Sequence, residues 1–342
     1  VRGLLVAAFA LPGLVLPAPA AAAQPAAPTV ACTLGDPRLS ELSGLVADGE
    51  RWYAVNDGGT AATVQVLGRD CAVQREIVGT VDPYDVEDLA VAGDGTFWLA
   101  DTGDNDQDRD TAALIALRPD GTSTLYRLTY PDGPQDTEAL LLDAEGTPYL
   151  VTKAPTGTAT VYRPAAELAS PGPTPLERVG SVRIAPTQTP GGPVPGVVGS
   201  VTVTGGATSR DGQVIALRTY TDAYLWRVEG TDVMGALNGD AVRVPLPNEA
   251  QGEAIAFEPD GTLVSASENV GEPVRLVAGA AELVAPPEPP PSERGQEGVG
   301  AGGATSGRSG GADGLPAVPA AVVTLVLVGG AVLFFRRRAA RR

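Results

Sequence analysis

Glu87, Asp101, Glu138 and Glu253 each stand beside a short apolar run, and no histidine occurs anywhere in the 342 residues. The missing His excludes a Ser-His-Asp or Cys-His catalytic site within this chain, and it removes the commonest metal ligand. Carboxylates crowded together repel, which raises some of their pKa values unless a cation neutralises them. Hard oxygen donors without His or thiolate suit Ca2+, with Mg2+ or Mn2+ less well matched. The run "DTGDND" at 101–106 adds Asp104, Asn105 and Asp106 around Gly103. It is similar to a calcium loop but lacks the spacing and terminal Glu of an EF-hand. If a metal activates water, Asp104 is the candidate base. The bland alternative is that these acids cap strands and turns through backbone hydrogen bonds. The sequence leaves both readings open.

Lys153 is the only lysine in the chain. It could pair with Glu138 or Glu253, or bind an anionic group. Arg109, just after the acidic run, has the same two readings. No nucleophile–base arrangement stands out.

These residues must be positioned by the elements around them. Residues 29–283 read as short runs of Val, Leu, Ile, Tyr and Trp split by Asp-Gly and Gly turns, a strand pattern. Five stretches resemble one another: "LSGLVADGERWYAVND" from residue 42, "VEDLAVAGDGTFWLAD" from 86, "TEALLLDAEGTPYLVTK" from 137, "TGGATSRDGQVIALRTY" from 204 and "GEAIAFEPDGTLVSASE" from 252. Their markers Ser43, Glu87, Glu138, Gly205 and Glu253 recur at intervals of 44, 51, 67 and 48. Each pair of strands is followed by further strand-like runs, which makes four antiparallel strands per unit at propeller-blade spacing. The expected fold is therefore an all-β propeller, with five blades visible and a sixth possible within the 67-residue interval. The last blade lacks a fourth strand, and "TVACTL" at 29–34 can supply it and close the ring. That closure would bring Cys32 to Cys71 as a disulfide. The first strand of each blade lines the channel, so the three Glu markers should converge there. Asp57, Asp101, Thr152, Thr219 and Ser267, fourteen residues after their markers, should form a second ring.

The two ends read differently. Residues 1–23 combine Arg2, an apolar stretch and small-residue cleavage sites, the pattern of a secretory signal. Residues 317–335 carry no charge over 19 positions, enough for a transmembrane helix, and the tail 336–342 holds five arginines. The positive-inside bias places that tail in the cytoplasm and the propeller outside a single-pass cell membrane anchor. Residues 284–316 are Pro- and Gly-rich, a stalk. The formal net charge of −17 argues against a nucleic-acid partner.

The motifs "NDGG" (56–59), "DVEDLA" (85–90) and "ADTGDND" (100–106) followed by Arg109 resemble a family of secreted bacterial β-propellers with N-D-S-G, D-W-E-D-[IL]-A and G-D-x-G-D-N signatures. The wider group is described as phytase-like or esterase-like propellers, or as NHL or TolB-like folds. The high Ala, Gly and Pro content resembles an actinobacterial, membrane-anchored member. The resemblance implies a propeller with its acidic motifs near the channel mouth, and it adds Asn56, Asp57, Asp88 and Arg109 to Lys153 as candidate ligand-binding residues. It implies no particular reaction. This chain has Val86 where many relatives have Trp and Gly58 where many have Ser. One lysine and an acidic body make phytate a poor substrate.

The expected role is binding: a cell-surface polymer, a protein or a small ligand at the channel mouth, with a divalent cation nearby. A metal-dependent hydrolase of an ester, lactone or phosphoester is the alternative, and a structural envelope protein is a third reading.

Overall fold

The computed structural model describes residues 24–284, apart from residue 195. The expected signal peptide, transmembrane helix and basic tail, and the expected stalk from residue 285 on, lie outside the described residues. Among the described residues, no helix is long and apolar enough to cross a membrane.

Apolar runs of five or six residues, each ended by a turn, pair with their neighbours in the chain. Strand β1 (Thr29–Thr33) comes first. The first blade then runs β2 (Leu42–Ala47), β3 (Trp52–Asn56), β4 (Thr63–Leu67) and β5 (Val73–Val78). The second runs β6 (Val86–Val91), β7 (Phe97–Asp101), β8 (Ala112–Leu117) and β9 (Ser123–Thr129). The third runs β10 (Thr137–Leu142), β11 (Pro148–Thr152), β12 (Thr158–Pro164) and β13 (Thr174–Arg183). The fourth has β14 (Val203–Thr208), β15 (Val214–Thr219), β16 (Asp222–Arg227) and β17 (Val242–Pro245). The fifth has β18 (Gly252–Phe257), β19 (Leu263–Ser267) and β20 (Pro273–Val277), and β1 pairs antiparallel with β20 as its outer strand. The first hairpin turn of every blade holds a glycine at positive φ, from Gly49 at 96° to Gly212 at 70°, a conformation that costs glycine nothing.

The ring closes as expected. Each innermost strand, β2, β6, β10, β14 and β18, packs on the next, and β18 returns to β2. Five apolar cores lie between successive blades. Burial is thus shared among interfaces, and every blade needs both neighbours. The Cys32–Cys71 disulfide forms, with Cα atoms 5.8 Å apart, and joins the last blade's outer strand to the first blade. The outer strands of blades 2 and 3 also touch through a short parallel pairing at Thr174 and Pro175.

The described residues hold five blades. The extra length before blade 4 forms a loop ending in a short helix, Val197–Val201. Asp222 pins this loop, accepting from the Thr187 and Thr189 hydroxyls, each at 2.7 Å.

The channel is narrow. A Cβ on Gly44 would lie 2.4 Å from the Leu89 nitrogen, so the first two inner strands approach as only glycine permits. Asp88 is fully buried. Its Oδ2 accepts from the backbone N–H of Leu140 at 2.7 Å and of Gly206 at 3.0 Å. These donors belong to blades 3 and 4, and blade 4 is not a neighbour of blade 2. The side chain therefore reaches across the channel and ties three inner strands together.

Candidate metal centre at the channel mouth

All five inner strands begin with the same irregularity. Their pairing with the second strand shifts between the first and third residues: Leu42/Gly44, Val86/Asp88, Thr137/Ala139, Val203/Gly205 and Gly252/Ala254. A bulge inserts one residue and re-aims its side chain. The inserted residues are Ser43, Glu87, Glu138, Thr204 and Glu253, all buried. In blade 4 the equivalent is thus Thr204, not Gly205. The register also corrects the second ring. Asn56 rather than Asp57 stands opposite the first inner residue of blade 1, beside Asp101, Thr152, Thr219 and Ser267 in the other blades.

The bulges bring Glu87 and Glu138 together. With Asp136 they form a buried trio whose carboxylate oxygens lie within 4.8 Å of one another. The inner-strand markers alone do not point to Asp136, although the sequence carries a repeated signal for it. Asp85-Val-Glu87 and Asp136-Thr-Glu138 are the same D-x-E pattern in consecutive blades. The pattern places an acid in the loop just before the strand and a second acid on the bulge. In blade 5 the first position is Gln251, whose amide donates to Glu253 Oε1 at 2.9 Å.

Lys153 enters from the end of β11. Its Nζ lies 2.5 Å from Glu138 Oε1 and 3.8 Å from Asp136 Oδ2. Burial pushes the Glu138 carboxyl up to about 8, against the pull of Lys153 and with Asp136 and Glu253 adding to the rise. Burial works against the Lys153 ammonium, but Glu138, Tyr220, Asp136 and Glu87 outweigh it and hold its pKa well above the usual lysine value. Lys153 thus reaches Glu138 and Asp136 directly, with Glu87 close enough to act on it electrostatically.

Asp101 and Arg109 build the wall behind this cluster. Asp101 Oδ1 accepts from the N–H of Tyr84 at 3.1 Å and of Asp85 at 2.8 Å, and from Arg109 Nη2 at 3.1 Å. Arg109 Nη1 donates to the Gly103 carbonyl at 2.7 Å, and its guanidinium lies 4.5 Å above the Tyr84 ring. A Cβ on Gly103 would lie 2.2 Å from Glu87 Oε1 and 2.5 Å from Asp85 Oδ2. Glycine is therefore what lets this loop pass behind the two acids.

The remaining candidates are spread out. Asp104 caps its own loop, accepting from the N–H of Asp108 and Arg109, while its N–H donates to Asp136 Oδ1 at 2.9 Å. Asp88 lies within the channel, where burial raises its pKa against three backbone donors. Glu253 sits on the blade 5 bulge, felt electrostatically by Glu138. In blade 1, the Asp57 N–H donates to the Glu41 carbonyl, and the Asp57 carbonyl accepts from Val86. The Asn56 side-chain oxygen is buried with no partner among the described residues.

No family model matches this chain, and no curated protein does. The resemblance to secreted bacterial propellers therefore rests on its motifs alone. Solved structures align with this chain only loosely. A streptogramin B lyase aligns with a TM-score of 0.39 and 12% identity over 73% of this chain and 97% of its own. A gluconolactonase from Xanthomonas campestris aligns with a TM-score of 0.41 and 16% identity over 70% and 72%. A hydrazine synthase from Kuenenia stuttgartiensis aligns at 0.37 and 11% over 69% and 94%.

Proposed function

We propose that this propeller binds a divalent cation at its channel mouth, with Ca2+ the best match, and uses it to hold an oxygen-rich extracellular ligand. The observation that carries the reading is the buried trio: Glu87, Asp136 and Glu138 bring carboxylate oxygens within 4.8 Å of one another, and the Lys153 ammonium bonds to Glu138. Buried charge of one sign is costly unless it is compensated. A cation bound by hard oxygen ligands compensates it without protonating Glu138. Glu87, Asp136 and Glu138 would hold the ion. Asp101 and Arg109 fix the loop behind them, and Asp85 and Glu253 add negative potential.

Metal-dependent hydrolysis of an ester, lactone or phosphoester is the second reading. Lys153 favours it, because a buried ammonium beside such an ion stabilises a developing oxyanion. A divalent ion held here would polarise a carbonyl or phosphoryl oxygen and acidify bound water. Asp104 already holds two backbone N–H groups and serves this reading as a support for the loop.

The setting we infer is extracytoplasmic, on a stalk and membrane anchor, and the Cys32–Cys71 bridge supports an oxidising compartment.

Thermal melts of the oxidised protein with calcium and with chelator test the first reading, because a ligand that binds only the folded state raises its apparent stability. Equal melts after verified metal removal would end it. A screen of ester, lactone and phosphoester substrates, with Glu87→Gln as control, then separates binding from hydrolysis.

A further inference from the structure

Opposite the carboxylate cluster, the hairpin turns of four blades and the end of β18 enclose a cavity of about 920 Å3. Asp88 lies between the two, and the next residue, Leu89, already lines the cavity. Tyr53, Trp98 and Tyr126 line it while staying partly exposed. The Trp98 and Tyr126 ring centroids are 5.6 Å apart with planes inclined by 30°, which offers flat apolar surface.

The polar lining is rich in acceptors that the fold already steadies. Asp48 Oδ1 holds the N–H groups of Glu50 and Arg51, and its Oδ2 holds the Tyr53 hydroxyl. Asp143 Oδ1 holds the N–H groups of Glu145 and Thr147. Arg118 contributes a donor.

We propose that this cavity binds a short neutral oligosaccharide. Its volume lies at the upper end of the range for small-ligand sites, about 300 to 1,000 Å3. Aromatic faces match the apolar faces of sugar rings, and the carboxylates and guanidinium match their hydroxyls. The lining acids outnumber the arginines, so an anionic ligand meets repulsion. A wholly apolar ligand would strip water from Arg118 and the lining carboxylates without replacing its hydrogen bonds.

The test uses intrinsic fluorescence. Trp52 and Trp226 are only 1% and 3% exposed, so Trp98 is the tryptophan that reports on this cavity. The full chain, in a detergent without sugar headgroups, is titrated with linear trisaccharides of glucose, xylose, mannose and N-acetylglucosamine. The expected result is a saturable emission change for at least one sugar below about 10 mM. Calorimetry with that sugar should then show binding weakened about tenfold or more by Trp98→Leu and by Arg118→Ala. Glu87→Gln, at the other end of the channel, should leave it unchanged, so the cation site and this site can fail separately. No saturable response to any sugar overturns the proposal. So does undiminished calorimetric binding in both cavity variants.

Discussion

Lys153 lies 2.5 Å from Glu138 inside a cluster of three carboxylates, as the only lysine the chain possesses. The ammonium is nearly enclosed, so its removal cannot be repaired by water. Lys153→Met should destabilise the cation-free protein by about 3 to 5 kcal/mol, the usual cost of breaking a buried pair. It should also enlarge the stabilisation given by calcium. Chemical denaturation with and without calcium reads both effects, and an unchanged midpoint would remove Lys153 from the account.

Neutralising one acid should act in the opposite sense. Glu87→Gln or Asp136→Asn relieves repulsion among the trio. Each should raise the melting temperature in chelator and reduce the calcium-dependent gain. A gain equal to that of the unaltered protein would place the cation elsewhere.

Asp88 makes a prediction independent of any metal. Asp88→Ala strands the N–H groups of Leu140 and Gly206, each costing about 1 to 3 kcal/mol when buried without a partner. Asp88→Asn keeps one acceptor oxygen and should lose less. Urea unfolding of the two variants checks the order.

The disulfide closes a separation of 39 residues between the first and last blades. Replacing both Cys32 and Cys71 by Ser should lower stability by about 3 to 4 kcal/mol on the chain-entropy account. Fragment exchange or proteolysis should then begin at β1, whose loss opens the ring edge. Equal unfolding midpoints for the two forms would show that the five interfaces alone hold the ring.

Asp48 gives a pH dependence. Burial works to raise its carboxyl, but the Tyr53 hydroxyl and the N–H groups of Arg51 and Glu50 outweigh it and hold the pKa below 3.8. A carboxyl depressed in the fold adds stability that is present above the unfolded value and lost as pH falls through the folded one. Unfolding between pH 5 and pH 2 should therefore show a loss that Asp48→Asn flattens, read as the difference between the two pH profiles.

Much of the site was legible because repeats compare themselves. Glu87 and Glu138 stood out as equivalent positions in similar stretches, and the D-x-E pattern already contained Asp136. The blade 4 marker Gly205 stands one residue beyond the bulge at Thr204, because "TVTGGAT" offers no charged marker and the bulge is not written in residue type. Asn56 and Asp57 were exchanged for the same reason, since register depends on an inserted residue that only pairing reveals.

By itself, the sequence determined the strands, their turns, their grouping into blades and the use of β1 to close the ring. Those follow from local periodicity and glycine placement, which act over a few residues. The tertiary structure decided the blade count, the pairing of Lys153 with Glu138, and the passage of Asp88 across the channel. Each of these depends on distances between blades far apart in the chain, set by how closely Gly44 and its neighbours let the inner strands approach.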